Sequence, residues 1–139
     1  MKKFLFFIGA FIIGLTAALA QEGSELSFDE VNYEFGTVKQ GEQVDHNFKF
    51  TNASPNPIVI TNVRTTCGCT VPQWPREPIA AGETANINAI FNTRGKQGYQ
   101  RKVVTISYTV KGKDGQEDQM KTTNVALVGT VAMPDQSND

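Results

Sequence analysis

The sequence predicts an all-β fold, an immunoglobulin-like antiparallel β-sandwich of about seven strands. Apolar and polar residues alternate in several short segments, as in strands with one buried face. Glycine-, proline- and asparagine-containing turns separate these segments at regular intervals. Apolar residues do not recur at helical spacing over three turns. These features are typical of a two-sheet sandwich, and a small β-barrel is the competing fold.

The alternation is clearest over residues 44–50, where Val44, His46, Phe48 and Phe50 share one face. The seven predicted strand segments are 26–28, 32–35, 44–50, 57–63, 85–91, 104–110 and 125–131. No pair of cysteines could join two sheets, so we expect apolar packing alone to hold the core. The predicted core residues are Phe48, Phe50, Ile87, Phe91, Ile106 and Leu127.

Residues 1–20 have the features of a cleaved signal peptide. Lys2 and Lys3 precede an apolar run, and the run ends in the small-residue cleavage signal Ala18-Leu19-Ala20. A retained membrane anchor is the alternative, but the run is short for a stable span. We therefore predict one β-sandwich domain over residues 21–133, followed by a disordered tail over residues 134–139. The expected location is the periplasm or the extracellular side of a bacterial envelope.

Charge argues against two classes of partner. The formal net charge of the whole chain is −1, and loss of Lys2 and Lys3 with the signal peptide would make it about −3. No cluster of Lys and Arg is present, so the sequence predicts binding to neither nucleic acid nor an anionic membrane surface.

The segment from Thr66 to Pro75 carries the most unusual motif. It contains the only two cysteines of the chain, Cys67 and Cys69, separated by Gly68. Residues two apart in an extended segment project to the same side, so the two sulfur atoms would be neighbours.

Four interpretations of this pair remain open. The thiols could pack as small apolar groups, as free cysteines often do. They could form a strained, easily reduced local disulfide. They could form a functional dithiol that binds a soft metal such as Cu(I) or carries out redox chemistry, although His46 is the only histidine available to complete a zinc site. They could also pair with cysteines of another molecule.

Trp74 lies between Pro72 and Pro75 in what the sequence predicts to be a rigid loop. Its indole could cover one end of the sandwich. It could also anchor a partner, because exposed tryptophan is favoured at binding hot spots. We predict a contact surface made of Thr66, Cys67, Gly68, Cys69, Pro72, Trp74 and Pro75.

The sequence lacks the common catalytic motifs. It contains no G-x-S-x-G, no H-E-x-x-H and no phosphate-binding glycine loop before a helix. Its acidic residues are scattered in a way typical of a solvated surface. We therefore predict a protein that is not an enzyme.

Several stretches resemble one family. Phe35-Gly36-Thr37-Val38, Cys67-Gly68-Cys69-Thr70 and Phe91-Asn92-Thr93-Arg94-Gly95 are similar to motifs of the bacterial domain-of-unknown-function family 1573. The resemblance spans about residues 28–131, and Ala81 stands where the family typically has proline. It implies an immunoglobulin-like domain, akin to Hydin-type and major-sperm-protein-like domains, usually exported and without an established activity or cofactor.

The function predicted from the sequence is that of an exported, non-catalytic module. It would bind an envelope protein or have a structural role. The alternative is a soft-metal or thiol redox protein that uses Cys67 and Cys69.

Overall fold

A computed structural model describes residues 24–66 and 68–134. The predicted signal peptide, Cys67 and residues 135–139 of the predicted tail lie outside this part of the chain. The described residues form eight β-strands: β1 (Leu26–Phe28), β2 (Asn32–Lys39), β3 (Gln43–Asn52), β4 (Ile58–Thr65), β5 (Cys69–Gln73), β6 (Thr84–Asn92), β7 (Gly98–Val110) and β8 (Gln119–Ala132). Within them, no helix is long and apolar enough to cross a membrane.

The strands form two four-stranded sheets, which confirms the predicted sandwich. The first sheet has the order β1-β3-β6-β5 and the second the order β2-β8-β7-β4. One pair departs from the predicted antiparallel arrangement, because β2 runs parallel to β8 from Asn32↔Ala126 to Lys39↔Ala132. The chain passes from β1 in the first sheet to β2 in the second sheet, and these two strands do not form a hairpin. The strand β2 pairs instead with β8, which is distant in sequence, and such a pair is free of the antiparallel direction that a hairpin imposes.

The core lies between the two sheets and contains all six predicted residues. Phe48, Phe50, Ile87, Phe91, Ile106 and Leu127 are each at most 1% exposed. Their alternation along the strands turns them inward, while the intervening polar residues face solvent. Burial of these large apolar side chains provides the main driving force for folding.

The strand β5 corrects one sequence-based prediction. The sequence predicts a rigid loop around Pro72, Trp74 and Pro75, but Cys69–Gln73 pairs with β6 as an edge strand that includes Pro72. Pro72 has no N–H to donate, and the pairing register shifts between Thr70 and Gln73. An edge strand tolerates such a break because its other side has no partner strand.

The chain after β5 crosses from the first sheet to the second. Ile79 pairs with Ile58 at the start of β4 through two backbone hydrogen bonds, with N–O distances of 2.9 and 2.7 Å. The buried Asn52 strengthens this anchor, because its Nδ2 donates to the Ile79 carbonyl at 2.9 Å. Residues 74–78 are therefore held between two fixed points, the end of β5 and Ile79.

Candidate functional site

The predicted contact segment has two distinct ends along β5. We call Thr66, Gly68 and Cys69 the thiol end, and residues 73–76 the tryptophan end. Cys69 pairs with Phe91, whereas Gln73 pairs with Asn88, which lies three residues before Phe91 on β6. At about 3.3 Å per residue the two ends are about 10 Å apart, so they are separate environments.

The thiol end is a closed turn. Thr66 N donates to the Val103 carbonyl and Val103 N donates to Thr66 Oγ1, both at 3.2 Å. Asn92 N donates to the Gly68 carbonyl at 3.0 Å. Thr66 and Gly68 are exposed, but their backbone groups already bond to neighbouring strands.

Cys69 carries a free, buried thiol that is 8% exposed. Burial raises its pKa to about 11, against the opposing influence of the Lys102 and Lys96 ammonium groups. The thiolate is the reactive and metal-binding form of cysteine. Cys69 therefore packs as a small apolar residue at neutral pH.

Gly68 is required at the thiol end for two reasons. Its φ of +90° lies in the left-handed region, where residues with a Cβ are strained. A Cβ would also lie 3.2 Å from Lys96 Cε and 3.4 Å from Phe91 Cε2. The glycine thus permits both the turn and its close approach to Phe91.

No metal centre is evident in residues 24–66 and 68–134, which contain no group of three or more potential His, Cys, Asp and Glu ligands. His46 Nε2 lies 2.9 Å from Glu30 Oε1, and its ring stacks on Tyr33 with centroids 3.7 Å apart. The histidine thus has local partners. Cys67, the other predicted soft-metal ligand, lies outside the described residues.

The tryptophan end opens into a surface cleft of about 460 Å³. Its lining residues are Gln73, Trp74, Pro75, Arg76, Asn86 and Asn88. Trp74 is half-buried and also packs against the core. The indole therefore contacts core residues and also lines an accessible cleft, and its role as a partner anchor stays a prediction.

Arg76 was not predicted as a site residue. Its guanidinium carbon lies 3.5 Å from the centroid of the Trp74 ring, in a cation–π stack. The sequence offers only a weak signal for this contact, the spacing of an arginine two residues after a tryptophan. Sequence periodicity does not reveal the stack, because residues 74–78 belong to no strand.

Asparagines on β6 form the other wall of the cleft. Asn88 Nδ2 donates to Asp45 Oδ1 at 2.6 Å and to Asn47 Oδ1 at 3.0 Å, both on the adjacent strand β3. These bonds fix the Asn88 amide on the outer face of the first sheet. Asn86, two residues earlier, lies on the same face and is exposed.

The structure thus separates the predicted site residues. Thr66 and Gly68 are exposed at the thiol end, Cys69 is buried there, and Trp74 and Pro75 line the cleft. Pro72 lies on β5 between the two ends.

A family comparison connects this sandwich with a known group of proteins. The profile of the family "Protein of unknown function (DUF1573)" matches residues 26–125. The chain belongs to this family. The resemblance predicted from its motifs is thereby confirmed.

Solved structures share the fold. The ASH/PapD-like domain 7 of human CEP192 superposes with a TM-score of 0.58 at 9% identity, over 80% of this chain and 87% of that chain. WR4, a major sperm protein family member of C. elegans, gives a TM-score of 0.52 at 11% identity, over 79% of this chain and 100% of that chain. The Vibrio cholerae protease VesB gives 0.62 at 15% identity, over 77% of this chain but only 32% of that chain. No curated protein matches the sequence.

Proposed function

We propose that this DUF1573 protein is an exported, non-catalytic module that binds a protein partner in the bacterial cell envelope. In this proposal the contact surface is the tryptophan end of β5, with Trp74 as its anchor. One observation carries the proposal: the half-buried Trp74 and the stacked Arg76 line an open cleft beside an edge strand.

The composition of the cleft supports protein recognition. Tryptophan and arginine are enriched among residues that dominate binding energy, especially where surrounding contacts hold them in place. Trp74 is held by the core beneath it, and Arg76 by the ring of Trp74. Because the anchor is ordered before binding, the Trp74 and Arg76 side chains would lose little conformational entropy when a partner binds.

The sequence of residues 1–20 supports export. The positive start, apolar run and Ala18-Leu19-Ala20 signal predict cleavage before Gln21. Expression of the full chain in a bacterial host, fractionation and intact-mass measurement test this directly. We expect a periplasmic or external product that begins at Gln21, and a full-length product retained in the membrane fraction would contradict the export proposal.

Thiol chemistry remains the second candidate, and the structure gives less support for it. Burial of Cys69 and its pKa of about 11 disfavour the thiolate needed for redox attack or soft-metal binding. We therefore prefer the binding module.

Affinity capture from the native host tests the proposed surface. The mature protein is used as bait after mild cross-linking, with Trp74→Ala as the test variant. Tyr99→Ala is the matched control, since Tyr99 is an aromatic residue that is 68% exposed on the second sheet. We expect the partner recovered by the wild type to be lost with Trp74→Ala and kept with Tyr99→Ala.

An identical set of partners for both variants would contradict the assignment of Trp74 as the anchor. Thermal unfolding of each variant checks that the sandwich is intact. Trp74→Phe serves as a second variant if Trp74→Ala does not fold.

A further inference from the structure

Within residues 24–66 and 68–134, the charge of Arg76 beside the Trp74 ring has no acidic partner. None of the ion pairs among the described residues includes Arg76, although its side chain is exposed. Glu77 follows directly in sequence and is also exposed, but it forms no ion pair with Arg76. A guanidinium that stacks on an aromatic face keeps its N–H groups available at its edge for planar acceptors.

Two other polar groups beside the cleft are either buried or already bonded within the protein. Trp74 Nε1 is buried and has no hydrogen-bond partner within the described part of the chain. A buried donor of this kind is unfavourable unless a ligand or water satisfies it. Asn88 uses its Nδ2 in bonds to Asp45 and Asn47, so its amide orientation is set before any ligand arrives.

These features favour a planar monoanion. Among the described residues that line it, the cleft contains one cation, Arg76, and the exposed side-chain amides of Gln73 and Asn86. A carboxylate accepts two parallel N–H groups from one guanidinium, which is the strongest arrangement for an arginine. Phosphate-binding sites typically gather several cations, whereas Arg76 is the only Lys or Arg among the described residues that line this cleft.

We propose that the cleft binds a carboxylate of an extended, acidic segment of a partner protein, with Arg76 as the residue that selects it. This inference rests on the proposed function and adds the chemistry of the partner. The adjacent edge strand β5 favours a peptide over other carboxylate sources, because an extended chain can lie alongside a sheet edge.

Intrinsic fluorescence provides a direct test, since Trp74 is the only tryptophan in the chain. The mature protein is titrated with the blocked peptide Ac-Thr-Thr-Glu-Thr-Thr-NH2, up to about 10 mM because a single anchored carboxylate binds weakly. Its glutamine analogue is titrated in parallel. A third peptide is the glutamine analogue with a free C-terminus. It shows whether a C-terminal carboxylate binds as well as the side-chain carboxylate of glutamate.

We expect saturable changes in Trp74 emission with the carboxylate peptides, and affinity about tenfold lower for the blocked glutamine analogue. Arg76→Gln should reduce affinity for the carboxylate peptides by about the same factor, and Arg76→Lys by less. The matched control is Arg101→Gln, because Arg101 is exposed on the second sheet and bonds to Asn32. It should leave binding unchanged.

Equal binding of the glutamate peptide and its blocked glutamine analogue, full binding by Arg76→Gln, or no emission change with any peptide would overturn the inference. Inorganic phosphate and galacturonate are titrated as competing anions. Tighter binding of phosphate would contradict the carboxylate assignment, and tighter binding of galacturonate would contradict the peptide assignment.

Affinity capture separates this inference from the proposed function. If Arg76→Gln keeps the captured partner while Trp74→Ala loses it, the binding surface stands and the carboxylate inference fails. If neither variant changes the captured partner, the proposed surface itself fails.

Discussion

The two ends of β5 differ in how completely their polar groups are satisfied. At the thiol end, backbone hydrogen bonds close the turn and Cys69 is buried against Phe91. At the tryptophan end, Trp74 Nε1 has no partner within the described residues and Arg76 contributes a charge without a counter-ion there. The difference teaches that a conspicuous sequence motif can be closed by its own hydrogen bonds, while a neighbouring, less conspicuous segment presents an exposed charge for the binding role that we propose.

Phe91→Ala should have the largest effect, because it removes the support of the thiol end. Phe91 is fully buried, pairs with Cys69 and lies 6.0 Å from Phe35 between ring centroids. Truncation of a buried phenylalanine costs about 3–5 kcal/mol. We expect this loss in the free energy of unfolding, measured by urea denaturation. A loss below about 1 kcal/mol would show that the thiol end is loosely packed.

Alkylation of Cys69 in a Cys67→Ser variant measures how closed the thiol end is. Its pKa rises from 9.0 to about 11 on burial. At pH 8 the native thiol should therefore be ionised about a hundredfold less than in the unfolded chain. We expect iodoacetamide to react at least a hundredfold faster in denaturant, and the native rate to keep rising above pH 9. Equal rates in both states would contradict burial of Cys69.

Gly68→Ala should destabilise the thiol end by a smaller amount. A left-handed backbone with a Cβ costs about 1–2 kcal/mol, and Lys96 and Phe91 crowd this position. Gly82→Ala is the matched control, because Gly82 has a φ of +78° but nothing within 4 Å of an added Cβ. The difference between the two variants in the free energy of unfolding, measured by urea denaturation, isolates the cost of crowding at Gly68. Identical losses would mean that the side chains of Lys96 and Phe91 move away from the added Cβ at little cost.

The Trp74–Arg76 stack should contribute least to stability. A double-mutant cycle with Trp74→Leu and Arg76→Ala measures the coupling of the two side chains. We expect about 0.5–1 kcal/mol, as for exposed cation–π pairs. A coupling above about 2 kcal/mol would indicate a structural role for the stack and weaken the case for a binding role.

The features that could be predicted from the sequence are those that depend on local periodicity. The alternation around Phe48 and Phe50 directly reflects which side chains face the core, so the sandwich and its core were predictable. The strand β5 was missed because Pro72 interrupts its pattern and only pairing with β6 defines it. The parallel β2–β8 pair joins distant segments and has no local signal.

The candidate site was predictable only in part. Trp74 and Pro75 were selected from their residue types, and both line the cleft. Arg76 was missed because its role comes from a stacking contact, and Asn86 and Asn88 were missed because they lie on another strand. Cys69 could not be distinguished from an accessible thiol without knowing that it lies opposite Phe91.

Site-specific photo-crosslinking tests most directly whether the tryptophan end, and not the thiol end, contacts the partner. A photoreactive amino acid replaces Asn86 in the cleft, Thr66 at the thiol end or Thr122 on the second sheet, all exposed positions. After irradiation in the native host, we expect a strong partner adduct at position 86, little at position 66 and none at position 122. An adduct at position 66 without one at position 86 would contradict the account.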